Sequence, residues 1–300
     1  ALCGAGLLMR RQPAGARALL LAFGLSELAV VALSSANPVS GPCSGGGLAE
    51  RMLGASLTEA GYPPLDTPKP VADDVLIVDS VMPGLVGKML PVRMTVLRLP
   101  DGGLLLHSPT RYSIPLKQAL EKIGPIRHLV APNIAHWIFL QDWQRACPDA
   151  TTWAAPGLRE RSQVQASGVR LDHDLSDAAP AEWGGAVGVT TVPGGLGFHE
   201  VALFHRPTRT LVLTDLVLNL DSGKLPAALR PLARLLGVTA PRGMAAPQLR
   251  GIVKLNRAEA ARCASRLLKL EPERVIFAHG RWFERGGTAA LRRSLRWLLD

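Results

Sequence analysis

His128-Leu129-Val130-Ala131-Pro132-Asn133-Ile134-Ala135-His136, Thr210-Leu211-Val212-Leu213-Thr214-Asp215 and Arg274-Val275-Ile276-Phe277-Ala278-His279-Gly280 share one pattern. Each is a short apolar run that breaks on a residue able to hold a metal. A run rich in Val, Ile and Leu, stopped by a polar residue and a turn signal, reads as a buried strand. In open α/β sheets, ligands and metals collect just beyond the carboxyl ends of such strands. Two imidazoles and a carboxylate from three strand ends can meet on one borderline cation such as zinc. The three runs therefore predict an α/β fold with a single site on one rim.

Working outward, strands are expected at Val75–Val78, Met94–Leu99, Leu104–His107 and His128–Ala131. Pro100-Asp101-Gly102-Gly103 is a turn by its chemistry, so the strands on either side of it form an antiparallel hairpin. Pro115–Ile123 reads as a helix opened by Ser113 and Pro115 and closed by Gly124-Pro125. Ile138–Cys147 reads as a second helix, followed by a short strand at Thr151–Ala154. The second half repeats the plan, with strands at Val189–Val192, Val201–Phe204 and Leu211–Thr214. Helices are expected at Leu225–Leu236 and Arg257–Leu270, then the strand Val275–Ala278 and a closing helix at Thr288–Leu299. The pattern suggests two sheets packed face to face with helices outside.

The chain has 300 residues, a net charge of +10 and 47% hydrophobic residues, ample for a packed core. Charge is uneven: residues 201–300 hold eighteen Lys/Arg and seven Asp/Glu, so that stretch carries +11. A basic block can meet nucleic acid, anionic lipid or an acidic substrate. Yet Arg262, Arg266 and Lys269 recur opposite Ala261, Ala264, Leu267 and Leu268, as Arg292, Arg293 and Arg296 do opposite Leu291, Leu295 and Leu298. That is the polar face of amphipathic helices, and solvated faces are the preferred reading. Cys3, Cys43, Cys147 and Cys263 form no zinc spacing and no disulfide framework. Cys147 and Cys263 read as small buried hydrophobes.

Residues 1–60 read as a separate extension. Arg10, Arg11 and Arg17 precede an apolar stretch from Ala18 to Leu33 and then Ser34-Ser35-Ala36, an order found in export signals. Glu27 interrupts the stretch, which is also short for a membrane span. An export signal or anchor, an organelle transit segment and an extension with no folded role all remain open. Any membrane contact would run through this segment, and the body reads as globular. Residues 37–50 are a Gly/Ser/Pro linker by composition, and the ordered domain is expected to begin near Tyr62.

With strands and strand ends placed, residues 61–300 resemble the metallo-β-lactamase-like superfamily, and more closely its branch labelled domain of unknown function 4336. The resemblance rests on Gly61-Tyr62-Pro63-Pro64-Leu65-Asp66-Thr67, Pro91-Val92-Arg93-Met94-Thr95-Val96, His128 to Asn133, Phe204 to Leu216, and Val275-Ile276-Phe277-Ala278-His279-Gly280. It implies a four-layer αββα sandwich and hydrolase-like chemistry at a metal centre. The superfamily holds two ions with an H-x-H-x-D-H loop, an Asp one strand earlier, a later His, a bridging Asp and a last His. Here the loop reads Pro132-Asn133-Ile134-Ala135-His136-Trp137, the early position offers Ser108, and the later His falls near His199. Asp215 and His279 match the bridging Asp and the last His.

The expected centre is therefore reduced, holding one zinc or other divalent transition metal through His136, Asp215 and His279. His199 is a candidate fourth ligand and Asn133 a poorer one. Simpler roles compete at each position: Asn133 as a helix cap with His136 facing solvent, Asp215 as a turn cap, and His279 as a core imidazole. Asp172-His173-Asp174 resembles a metal cluster but lies in a polar stretch read as a solvated loop. Glu200 and His205 flank a strand and read as hydrogen-bonding residues. Gly194-Gly195-Leu196-Gly197 reads as a loop, and Trp137 and Trp143 as packing residues. The leading expectation is a hydrolase-like protein acting on an unspecified small molecule. The alternatives are a non-catalytic member binding a small molecule or partner in the same cleft and, more weakly, a nucleic-acid binder or nuclease. Deleting residues 1–60 is expected to leave Tm nearly unchanged in a thermal melt; a large drop would show that the apolar segment docks on the body.

Overall fold

The computed structural model describes residues 60–83 and 89–300. The expected extension at 1–60, with Cys3 and Cys43, lies outside the described residues apart from Ala60. Pro68–Ala72 (β1), Val75–Pro83 (β2), Met89–Arg98 (β3) and Leu104–His107 (β4) pair antiparallel in sequence order. The crossover helix Ile114–Glu121 (α1) follows, with the Ser113 side chain accepting the Leu116 amide at its start. Because a helix intervenes, Ile126–Ala131 (β5) joins β4 in parallel. Thr151–Ala154 (β6) and His173–Asp174 (β7) extend the parallel side of this seven-stranded sheet. Leu140–Ala146 (α2) and Ser162–Ser167 (α3) complete its connections.

Val187–Pro193 (β8), His199–His205 (β9) and Thr210–Val212 (β10) form an antiparallel run in the second sheet. Leu218–Asn219 (β11) leads to Arg230–Leu235 (α4), Pro247–Lys254 (α5) and Arg257–Lys269 (α6). Arg274–Ile276 (β12) then adds parallel to β10, giving the order β12-β10-β9-β8. His279–Gly280 (β13) pairs with β11, and Gly287–Leu299 (α7) closes the fold.

One apolar layer lies between the sheets, where Val75, Ile77, Leu97, Leu105 and Val130 meet Val189, Val201, Leu203, Val212 and Ile276. The outer faces bury the helix stripes, Leu116, Leu120, Leu140 and Trp143 on one side and Leu267, Leu291 and Leu295 on the other. The result is a four-layer αββα sandwich. Parallel pairing sets where the strand ends fall. His107 lies beside Val130, and Val212 beside Ile276, so the segments after β4, β5, β10 and β12 leave on one rim. The Val201 amide donates to Pro132 O at 2.8 Å and ties the two sheets together there.

Three sequence expectations need correction. The helix expected over Leu225–Leu236 is a single tight turn, Ala227–Leu229, followed by the short α4. Pro226 and Pro231 lack the amide protons that a continuous helix needs. His173–Asp174, expected to be without a strand, pairs with Trp153 and Ala154. The polar cluster there is solvated as expected, with Asp174 bonded to Arg159 and Asp172 to Arg170. β2 and β3 run longer than anticipated, as one long hairpin joined by β1. The basic stripe of α6 faces solvent over buried Cys263, Ala264, Leu267 and Leu268, as read from its period.

Arg93 is a buried charge held by several partners. Its register partner across β2 and β3 is Asp79, and both side chains are buried. Arg93 Nη2 meets Asp79 Oδ1 at 2.6 Å, and Lys69 also bonds to Asp79. Arg93 Nη1 donates to Phe277 O at 3.0 Å and Gly280 O at 2.9 Å, clamping the chain on both sides of His279. Removing one member of a buried pair leaves the other charge uncompensated. Asp79→Ala is thus expected to cost about 3–5 kcal/mol in urea denaturation; a loss below about 1 kcal/mol would mean the carbonyls alone stabilise Arg93.

Candidate metal centre

Each strand end presents its side chain by a different local device. After β5, Asn133 Oδ1 accepts the Ala135 and His136 amides at 2.9 and 3.0 Å, which turns the chain as an Asx cap does. Ile134 and Trp137 in this turn are buried in the helix-side core, and Trp137 donates its indole N–H to Ile134 O. Position 136 is thereby left facing the rim. Trp143 likewise packs in the core, bonded to Thr110 O, so both tryptophans have the packing role expected of them.

After β10, the turn is organised by Glu200, which is fully buried. Its carboxylate accepts the amides of Thr214 at 2.8 Å, Asp215 at 2.9 Å and Leu216 at 3.1 Å. Three successive donors converging on one carboxylate fix the backbone from which Asp215 projects. After β12, the narrow approach of β13 to β11 dictates Gly280. A Cβ there would lie 2.2 Å from Asn219 O, and φ is +96°. Only glycine fits, and it holds the preceding His279 against the rim.

The three side chains meet. One ligand atom from each of His136, Asp215 and His279 lies within 4.8 Å of the others, slightly wider than the roughly 4.4 Å that two arms of about 2.2 Å can span, so a small closure would seat one ion. His136 Nε2 is 3.3 Å from Asp215 Oδ2, and His279 Nε2 is 3.3 Å from Asp215 Oδ1. Each imidazole thus faces its own carboxylate oxygen, at a spacing close to the edge of a tetrahedron with arms of about 2.0 Å. The outer nitrogen of each ring is also held. His279 Nδ1 is 2.8 Å from Pro91 O, and a carbonyl can only accept, so Nδ1 carries the proton and Nε2 faces inward. His136 Nδ1 is 2.6 Å from Ser108 Oγ. Ser108 itself sits at φ +55°, a left-handed conformation costly for a residue with a Cβ.

Burial alone would raise the Asp215 carboxyl, but His136 and His279 outweigh it and hold it well below the usual carboxylate range. Burial would lower His279, and the bond to Asp215 raises it instead. Glu200 is pushed up to about 7 by burial and by the neighbouring Asp215 charge, against the pull of its amide donors. The donor set is two imidazoles and one ionised carboxylate, each braced from behind, and it fits zinc or another divalent transition metal.

Two candidate ligands do not join the three-residue group. Asn133 is engaged at both ends of its amide: the oxygen caps the turn, and Nδ2 donates to Asp215 Oδ2 at 2.7 Å and Thr214 Oγ1 at 3.0 Å. It positions Asp215 and has no oxygen free for an ion. His199 lies outside the cluster at the start of β9, with Nδ1 3.1 Å from Pro156 O. The glycine run is a packed turn, its Gly195 amide bonded to Ile252 O at the end of α5. Ser108 stands where the family pattern has an Asp, and that departure was its signal. The anchoring role of Glu200 and the carbonyl of Pro91 had none, because both act across distant segments.

Ser108→Ala removes the brace on His136 without opening the core. It is expected to weaken metal affinity about 10- to 100-fold, measured by competition with a chelating dye, with Tm little changed. Unaltered affinity would show that Ser108 does not orient the imidazole.

Residues 73–241 match the family model described as Domain of unknown function (DUF4336). No curated protein sequence matches the chain. Among solved structures, it is similar to DIM-1 metallo-β-lactamase exposed to ceftazidime, at 13% identity and TM-score 0.53, covering 77% of this chain and 95% of that one. A metallo-β-lactamase from Pontibacter korlensis aligns at 15% identity and TM-score 0.53, covering 78% and 98%. FIM-1 from Pseudomonas aeruginosa in its mono-zinc form aligns at 15% identity and TM-score 0.52, covering 77% and 94%. Sheet order, rim and family match agree: the chain belongs to the DUF4336 family and has the metallo-β-lactamase fold.

Proposed function

We infer that the chain is a metal-dependent hydrolase of small molecules that uses one divalent ion, zinc fitting best, held by His136, Asp215 and His279. The convergence of their ligand atoms within 4.8 Å carries this reading. A bound ion would supply Lewis acidity. The chain's own residues prepare the site for it. Pro91 and Ser108 orient the two imidazoles. Asn133 and the Glu200-anchored turn aim the Asp215 carboxylate between them. Asp215 stays ionised because both rings face it.

Retained ligands argue for one ion and against two. Ile134 and Trp137 point into the core, and Pro132 and Ala135 offer no donor atom, so the loop after β5 contributes only His136. A fold neighbour in a mono-zinc form supports the capacity of this architecture to hold a single ion. A purely binding role in the same cleft is less favoured, since it gives no reason to brace two imidazoles and a carboxylate so closely.

Protein purified without added zinc is expected to carry at most one tightly bound transition metal per chain by elemental analysis, and to show negligible β-lactam hydrolysis. Thioester or phosphodiester hydrolysis should fall at least about a hundredfold in a folded Asp215→Ala variant, because ligand loss removes metal and activity together. Two equivalents at full occupancy, or activity that survives both the variant and chelation, would overturn the reading.

A further inference from the structure

The basic C-terminal third is left unexplained by the metal centre. Many of its cations are paired: Arg262 with Glu259, Arg266 with Asp177, Arg209 with Glu271, Arg274 with Glu273 and Arg281 with Asp221. A cleft of about 790 Å³ beside β1 is also basic, with Lys69, Arg93, Arg281, Arg285 and Arg293 against Asp79 and Glu284, but three of its five cations are ion-paired, Lys69 and Arg93 with Asp79 and Arg281 with Asp221. A second cleft, of about 670 Å³, lies between α5, the start of α6 and the end of α7. It is lined by Met244, Arg250, Lys254, Arg257, Arg296, Trp297 and Asp300.

This second cleft is electrostatically incomplete. Four cationic side chains against the single carboxylate side chain of Asp300 leave a side-chain excess of +3, and among the described residues none of the four is ion-paired. Its wall also contains two buried N–H donors without a hydrogen-bond partner, Arg250 Nε and Trp297 Nε1. Orphaned buried donors are rare and costly. Arg250 is fixed in place because its Nη2 donates to Leu236 O at 2.9 Å. Arg257 opens α6, where the helix already presents a positive end, so its charge is opposed rather than balanced by the backbone. A cleft lined by one sign of charge focuses its field on an oppositely charged ligand.

We propose that the cleft formed by Arg250, Lys254, Arg257, Arg296 and Trp297 binds a phosphate-bearing ligand. Three guanidinium groups supply planar forks that match phosphate oxygens in pairs. The side-chain excess of +3 exceeds what a single carboxylate would neutralise, which favours a phosphate dianion or linked phosphates. The site shares no residue with His136, Asp215 or His279, so the proposal stands independently of the hydrolase reading.

The test uses the full chain and two probes, inorganic phosphate by titration calorimetry and a labelled single-stranded oligonucleotide by fluorescence anisotropy. At least one probe should bind with a dissociation constant below about 1 mM. The double variant Arg257→Ala/Arg296→Ala, at exposed positions, should weaken that binding at least about tenfold with Tm unchanged; Lys254→Ala serves if the double variant is unstable. Phosphate binding with no gain from the oligonucleotide assigns a small phosphorylated ligand. Tighter oligonucleotide binding assigns a strand, and the double variant should then lower the log–log salt slope by about 1.4, at about 0.7 per phosphate contact. Binding of neither probe, binding unaffected by the variants, binding abolished by Asp215→Ala, or association only with anionic phospholipid vesicles would each overturn the proposal.

Discussion

A buried carboxylate with no cation beside it is the constraint on which the metal centre depends. Glu200 is fully buried, and an unsatisfied charge there would be prohibitive. Its oxygens are satisfied by the amides of Thr214, Asp215 and Leu216. Those bonds require the chain after β10 to fold tightly over Glu200, and that turn projects Asp215 toward the rim. Two carboxylates are then close neighbours, and they divide the cost unequally. Asp215 faces both imidazoles and stays ionised, whereas Glu200 has only neutral donors, the turn amides and the Thr214 hydroxyl, and is pushed up to about 7.

The seven-stranded sheet contributes the other half of the centre. β3 reaches His279 twice, through Pro91 O on the ring and through Arg93 on the flanking carbonyls. Ser108, the residue just after β4, reaches His136. Because these groups come from the first sheet and Asp215 from the second, the centre is also a fastening between the sheets. Replacing a ligand there therefore loosens the join between the sheets as well as the hold on an ion.

The strand ends were legible because their signals are local. Apolar runs broken by His136, Asp215 and His279 mark buried strands, and parallel pairing does the rest. The four-layer architecture and the packing roles of Trp137, Trp143, Cys147 and Cys263 followed from the same periodicities. Asn133 was harder, since its type is compatible with a weak ligand or a cap, and only the two amides on Oδ1 decide between them. His199 lies near the position where the family pattern has a ligand, yet its place at the start of β9 turns it toward Pro156 O. Glu200, Arg93 and Pro91 act across 14, 184 and 188 residues respectively. No spacing rule in one sequence reaches that far.

Charge shows the same limit in a different form. The stretch from 201 to 300 carries a large positive excess, and periodicity assigned it to solvated helix faces. That assignment holds for Arg262 and Arg266, which have carboxylate partners on the surface. It holds for Arg296 too, which is exposed opposite buried Leu291, Leu295 and Leu298, but it does not anticipate that Arg296 meets Arg250, Lys254 and Arg257 from two other helices in one cleft, where none has a carboxylate partner. A convex surface lets like charges separate into water; a cleft does not, and the field of each adds to the next. Helical period reports which face of one helix is wet, but concavity arises only when several helices pack. The metal centre is built by strand ends and this cleft by the outer helix layer, so each can be altered while the other is left intact.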